Sequence, residues 1–238
     1  KNRLAYMLVC GFVVLTYLSG ALTFVERQFD DLKFGLLERQ ATGDVVLVEI
    51  DARSLAELDL WPWPRSVHAR LVENLVKAGA ARIAFDVDFS AFSSGEQDAR
   101  FAAALKAATG KVVLPVFRQR AMHGAGGSGF VDSLPAEPFR PFVDFAGLNV
   151  FPSDDGRVRD LPPEIVVSGN LYPTLAALLA GAGNFPDSVF GIDFGIDPAT
   201  IPRLSYADVL HGHFRAEDIA GKQIVIGSTA AELGDFIA

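Results

Sequence analysis

Three aspartates stand where this chain could do chemistry. Asp51 closes the run VVLVEI, Asp86 stands near the end of IAFDVDF, and Asp193 ends SVFGID. Each is expected at the end of a strand. If those strands run parallel, their carboxyl ends share one edge, where open α/β sheets bind ligands. Carboxylates gathered there can hold a hard cation through oxygen, or divide into an acid and a base. They can equally cap loop N–H groups or pair with arginines, since structural networks gather charge too.

Arg65 follows WPWP at a predicted helix start. A cation is unfavourable at that end of the helix dipole, so the placement requires an anionic partner. Asp51 or Asp86 is the expected partner, which makes Arg65 structural. A bound anion at the helix N-terminus is the alternative. Trp61 and Trp63 either wall a site for a cation or a flat ligand, or wedge into the core to fix their loop. Arg159 lies inside a predicted strand beyond the Asp-Gly turn, so turn chemistry does not account for it. Together Asp51, Trp61, Trp63, Arg65, Asp86, Arg159 and Asp193 form the candidate ligand-binding set. His211 and His213 share a face only on extended backbone and have no third ligand in sequence, so a solvated loop is expected. Nucleophile-elbow, zincin, Walker and dinucleotide fingerprints are absent from the sequence. The glycine-rich GAGGSG at 124–129 lacks the Lys-Ser/Thr and the helix that a phosphate loop needs. No catalytic residue, metal or cofactor is expected.

The elements that must position these residues begin with Asp44–Ser90. VVLVEI is an apolar run of the kind a strand buried on both faces shows. After WPWPR, Val67, Leu71, Leu75 and Ala78 recur at helical spacing and Gly79 stops the helix. IAFDVDF is a second strand, and the three elements predict a right-handed βαβ unit. Asp98 is the expected cap of a helix through Phe101, Ala102 and Leu105, ending at Gly110. KVVLPVF is a third strand. Residues 119–141 form a long irregular excursion. GLNVFP-SDDG-RVRDL predicts an antiparallel hairpin about Asp-Gly, with PEIVV extending its second strand. YPTLAALLAG and SYADVLHG are short helices. SVFGIDFG and GKQIVIG are strands. The fold class is α/β: a mixed, mostly parallel sheet flanked by helices, with an antiparallel hairpin.

One transmembrane helix is expected before this domain. Residues 4–25 contain no charge, and 22 residues of helix span roughly 33 Å, enough to cross a bilayer. Lys1 and Arg3 precede them and no positive excess follows, which puts residues 1–3 in the cytoplasm. Residues 26–40 continue as a juxtamembrane stalk in which Phe29, Leu32 and Leu36 make an apolar stripe. The stripe packs either on the chain's own domain or on the same stripe of a second chain. Residues 41–238 form the extracytoplasmic domain. A net charge of −8 excludes a nucleic-acid partner that needs a basic face. Cys10, the single cysteine, excludes an internal disulfide.

Several segments together carry a resemblance. They are Ile50-Asp51, Ser54-Leu55, WPWPR at 61–65, Gly79-Ala80, Phe85-Asp86 and Phe89-Ser90. Farther on come Gly147 to Arg159, Tyr172-Pro173, Ile192-Asp193-Phe194, Ser205-Tyr206, Gly221-Lys222, Ile226-Gly227-Ser228 and Asp235. In this combination the chain resembles, over almost its whole length, the type 2 CHASE domain, the second class of extracellular sensory domain named for cyclases and histidine kinases. The resemblance implies a stimulus- or ligand-sensing receptor region that follows a transmembrane helix and controls a cytoplasmic output. In the family that output is a nucleotide cyclase, a diguanylate cyclase, or a histidine or Ser/Thr kinase. No output motif falls within residues 1–238, so this chain is not expected to be an enzyme. The expected partners are the lipid bilayer, an unidentified small molecule and a second copy joined through the stalk. The alternative is a membrane-tethered, metal-dependent hydrolase using the clustered aspartates.

Overall fold

The computed structural model describes residues 37–59, 61–120, 129–153, 155–181 and 189–230, with Arg3, Tyr6, Met7 and Phe34. The expected membrane helix at 4–25, and most of the stalk, lie outside the described residues. Among the described residues no helix is long and apolar enough to cross a membrane.

The chain divides into two compact units. One comprises Lys1–Ala41 with Asp193–Thr200, the other Thr42–Ile192 with Ile201–Ala238. In the smaller unit, Arg39 donates its N–H to the Gly195 carbonyl at 2.8 Å and accepts from Asp197 N–H at 2.9 Å. The Phe34 and Phe194 rings meet edge to face at 6.1 Å.

The larger unit is built on a seven-stranded sheet. Its strands are β1 (Val45–Ile50), β2 (Arg82–Phe85), β3 (Val112–Arg120), β4 (Phe130–Ser133), β5 (Asp144–Gly147), β10 (Arg203–Ser205) and β11 (Gln223–Ser228). They run in the order β10-β1-β11-β2-β3-β4, and β5 also pairs with β3. Every pair is parallel except β3 with β4. The mixed, mostly parallel sheet is therefore the expected one. The predicted βαβ unit is present in its elements and direction, but β1 and β2 do not touch. The last strand, β11, lies between them.

Among the described residues five helices accompany the sheet: α1 (Ala52–Leu58), α2 (Arg65–Lys77), α3 (Gly95–Ala107), α4 (Leu175–Leu179) and α5 (Tyr206–His211). Strand side chains alternate between faces. Val46, Val48, Ile50, Ile83, Phe85, Leu114, Ile224 and Ile226 enter one core with Leu71, Leu75, Phe101, Leu105 and Val209 of α2, α3 and α5. Ala84, Val113 and Ala146 face the other way, against leucines of α4. Alternate residues of β1 are only half-buried, so the strand is not buried on both faces as its composition predicts.

Three further corrections concern local structure. Helix α1 occupies a segment expected to be loop; at seven residues it is too short to show a periodic stripe. Ser94, not Asp98, caps α3, accepting from Gln97 N–H at 3.3 Å. Asp98 lies in the first turn and accepts from Ser93 N–H at 3.0 Å. The Asp-Gly turn closes, with Ser153 N–H reaching the Arg157 carbonyl at 2.8 Å, but no ladder among the described residues flanks it. β5 is taken by β3, and β6 (Asp160–Leu161) pairs with β9 (Phe190–Gly191). The antiparallel hairpin forms one segment later, between β7 (Glu164–Val167) and β8 (Asn170–Pro173). Its two turn residues, Ser168 and Gly169, have φ of 49° and 78°. Positive φ at both turn positions suits the right-handed strand twist of a tight hairpin.

Candidate functional site

Sheet geometry puts the ends of β1, β11 and β2 side by side. Ile50 pairs with Ser228 and Phe85 with Ile226, so Asp51, Ser228 and Asp86 close adjacent strands. The expectation of a shared edge thus holds for Asp51 and Asp86. It fails for Asp193. The strand before it, β9, has two residues and pairs antiparallel with β6, outside the central sheet. Glycine at 191 and 195 leaves that segment no apolar run long enough for a buried strand. Asp193 belongs to the smaller unit, where its carboxylate pairs with Arg39 and accepts from Gly195 N–H.

Asp51 is the N-cap of α1. Its Oδ1 accepts from Ser54 N–H at 2.7 Å, from Ser54 Oγ at 2.5 Å and from Ser205 Oγ at 3.2 Å. Ser54 Oγ in turn accepts from Ala207 N–H at 3.1 Å, tying α1 to the start of α5. Burial acts to raise the Asp51 pKa, but the Ser54 and Ser205 hydrogen bonds outweigh it and hold the carboxyl below its ordinary value. This is one of the structural roles that the sequence left open.

The WPWPR loop folds under its own aromatic rings. Trp63 is buried, 4.9 Å from Trp61 edge to face and 4.7 Å from Tyr206. The Trp61–Pro62 peptide is cis. Arg65 opens α2, and its partner is neither Asp51 nor Asp86 as expected. The guanidinium turns inward over the Phe89 ring at 4.5 Å and donates to the Ala91 carbonyl at 3.1 Å. Its Nε lies 3.9 Å from Asp98 Oδ1, and both side chains are about nine-tenths buried. Asp98 reaches it because α3 packs across α2. Nothing in the spacing of the two residues foretells that crossing. Burial pulls the Arg65 pKa down, against the charges of Asp98 and Asp88. A turn farther along α2, His68 is buried and shares a 2.8 Å hydrogen bond with the Tyr206 hydroxyl. Burial, then the Arg65 charge, pushes His68 down to about 3, so it is neutral at ordinary pH.

These residues enclose a cleft of about 880 Å³ at the carboxyl edge of the sheet, lined by Ile50, Trp61 to Arg65, His68, Asp86, Asp88, Gln97, Gln119 and Ser228 among others. The volume is that of a small-molecule site. Of the sequence-derived set, Trp61, Trp63, Arg65 and Asp86 line the cleft. Asp51 and Arg159 are not among its described lining residues. Arg159 pairs instead with Asp155 at 2.7 Å. His211 ends α5, exposed, and meets Glu57 at 2.9 Å, and His213 is exposed on the loop beyond, so the pair is solvated, though His211 itself is helical. Among the described residues no group of three or more His, Cys, Asp or Glu is placed to hold a metal ion.

Comparison with known families supplies the identity that geometry alone does not. A family model described as the CHASE2 domain matches residues 7–238. The chain belongs to the CHASE2 family. CHASE2 domains are sensory extracellular domains of signalling receptors. No curated protein and no solved structure matches the chain. In this CHASE2 domain the cleft recruits residues that the sequence did not single out as a site: Ser228, Gln119, Gln97 and His68. Ser228 was within reach, because it closes a buried-type strand as Asp51 and Asp86 do. His68 was within reach as well, because it shares the buried face of α2 with Leu71, Val72 and Leu75.

Proposed function

We propose that this CHASE2 domain is the extracytoplasmic, ligand-sensing region of a membrane signalling receptor, with the carboxyl-edge cleft as its sensory site. The family match over residues 7–238 carries this reading. The cleft supports it, being large enough for a small molecule and walled by residues of three strands, two helices and the loops between them. Residues 4–25 anchor the domain as a single membrane span, and the stalk joins two copies. Occupancy of the cleft biases a cytoplasmic cyclase or kinase beyond this region. The domain itself catalyses nothing. Reporter fusions test the arrangement. A periplasmic-active reporter joined after residue 230 is expected to be active, and a cytoplasmic-active one silent. The reverse pattern overturns the reading.

A further inference from the structure

A second cavity, of about 590 Å³, opens between β3, β4, β6 and β7. Gln119 of β3 lines the carboxyl-edge cleft, and Arg118 beside it lines this cavity. Successive strand residues face opposite sides of a sheet, so the two are separate spaces. The walls of the second are apolar yet open to water. Phe130, Phe151, Val166 and Val189 all line it, and each is between 45% and 61% exposed. One exposed apolar side chain is ordinary, but four around one concavity mark a binding surface. The volume lies in the range of small-molecule sites. The polar groups decide the charge of the occupant. Arg118 is already spent: its guanidinium donates to both oxygens of Asp132, at 2.9 and 3.3 Å, and lies over the Phe130 ring at 5.4 Å. The Asn149 amide is spent on the Arg118 backbone. Asp160 and Glu164 also line the cavity, and both are exposed. Among the described residues neither carboxylate has a hydrogen-bonding or ionic partner. They are the charges the cavity has left to offer.

We infer that this cavity binds a small amphipathic amine. Its apolar body lies against Phe130, Phe151, Val166 and Val189, and its ammonium group is held by the rim carboxylates Asp160 and Glu164. An anion is repelled at that rim, and a neutral analogue gains only the apolar contact. The site is independent of the carboxyl-edge cleft, so neither stands or falls with the other.

Calorimetric titration of the whole chain in lipid nanodiscs, with protein-free discs as the blank, tests it with three matched probes: phenethylamine, phenethyl alcohol and phenylacetate. The amine is expected to bind saturably and most tightly, the carboxylate least. Phe151→Ser is expected to weaken amine and alcohol alike by about tenfold, the scale of burying part of an aromatic ring. Asp160→Asn combined with Glu164→Gln is expected to weaken the amine alone, by about fivefold, as the loss of exposed ion pairs would. That brings the amine level with the alcohol. All three positions are exposed, so the variants are expected to fold. The inference is overturned if no probe binds above the blank, or if alcohol or carboxylate binds at least as tightly as the amine. It is overturned equally if Phe151→Ser or the double variant leaves amine binding unchanged. If no probe binds and Phe151→Ser changes the oligomeric state in sedimentation, a second copy covers this wall and the small-molecule site is refuted.

Discussion

Arg65 takes its charge into the interior with a single carboxylate 3.9 Å away. The pair is a mutual dependence: each group is buried and each keeps one unpaired polar atom. Arg65→Met, which keeps most of the volume, strands the Asp98 charge. It is expected to cost on the order of 3 kcal/mol in urea unfolding. Adding Asp98→Asn removes the stranded charge and should recover part of the loss. If the double variant is no more stable than the single one, the pair does not act as described. His68 makes a second prediction. Its folded pKa is about 3 against an ordinary 6.5. Between those values the unfolded chain binds a proton that the native chain refuses. Stability therefore falls as pH drops from about 6.5 towards 3, by up to about 1.4 kcal/mol per pH unit. His68→Gln should flatten that slope in urea midpoints measured across the window. Asp51 acts lower: its lowered pKa gives stability that is complete above the ordinary 3.8 and lost as pH falls through the folded value.

At the scale of elements, β5 and the β7–β8 hairpin approach closely. A Cβ at Gly147 would lie 2.2 Å from Ile165 Cδ1. Gly147→Ala is expected to destabilise by about 1–3 kcal/mol through overpacking. Combined with Ile165→Val it should cost less than the two single variants summed, as a double-mutant cycle in denaturant would show. Asn149 continues the same edge with its side chain. Its amide accepts from Arg118 N–H at 2.8 Å and donates to the Arg118 carbonyl at 2.6 Å, standing in for a strand residue beyond Gly147. How much was legible varied by element. β1, β2, β3 and β11 show as apolar runs because their apolar residues are buried or half-buried. α2 and α3 show through periodicity and stop at glycine or just before it. β10 and α1 do not, since three residues with an arginine and a seven-residue helix carry too little pattern. The hairpin was placed at Asp-Gly, the stronger turn signal, when Ser168-Gly169 had strands free to pair. Of the site, the WPWPR wall and Asp86 were legible from their types and strand-end positions. The Arg65–Asp98 contact and the His68–Tyr206 bond were not, because both depend on how helices cross.

For the whole molecule, the mixed α/β class followed from the alternation of strands and helices, but strand order did not. Nothing in an apolar run says which other run lies beside it, and here the last strand sits in the middle. Residues 223–228 pair with β1 on one side and β2 on the other. A chain ending before Gln223 is therefore expected to lose more than an edge. Hydrogen exchange at the Val45–Ile50 amides should show their protection gone, whereas loss of an outer strand would leave it largely in place.

The central place of β11 also sets a clock on how the molecule comes into being. Val45 is paired with Gln223, so roughly 180 residues must be added after β1 is made before its neighbour exists. At about 5–20 residues per second, that leaves the apolar edge of β1 waiting on the order of ten seconds or more. Through that interval the newborn chain offers an open strand to any other open strand it meets. Whatever shields it then, a chaperone or early docking of α2, protects the strand whose last residue, Ile50, later lines the cleft.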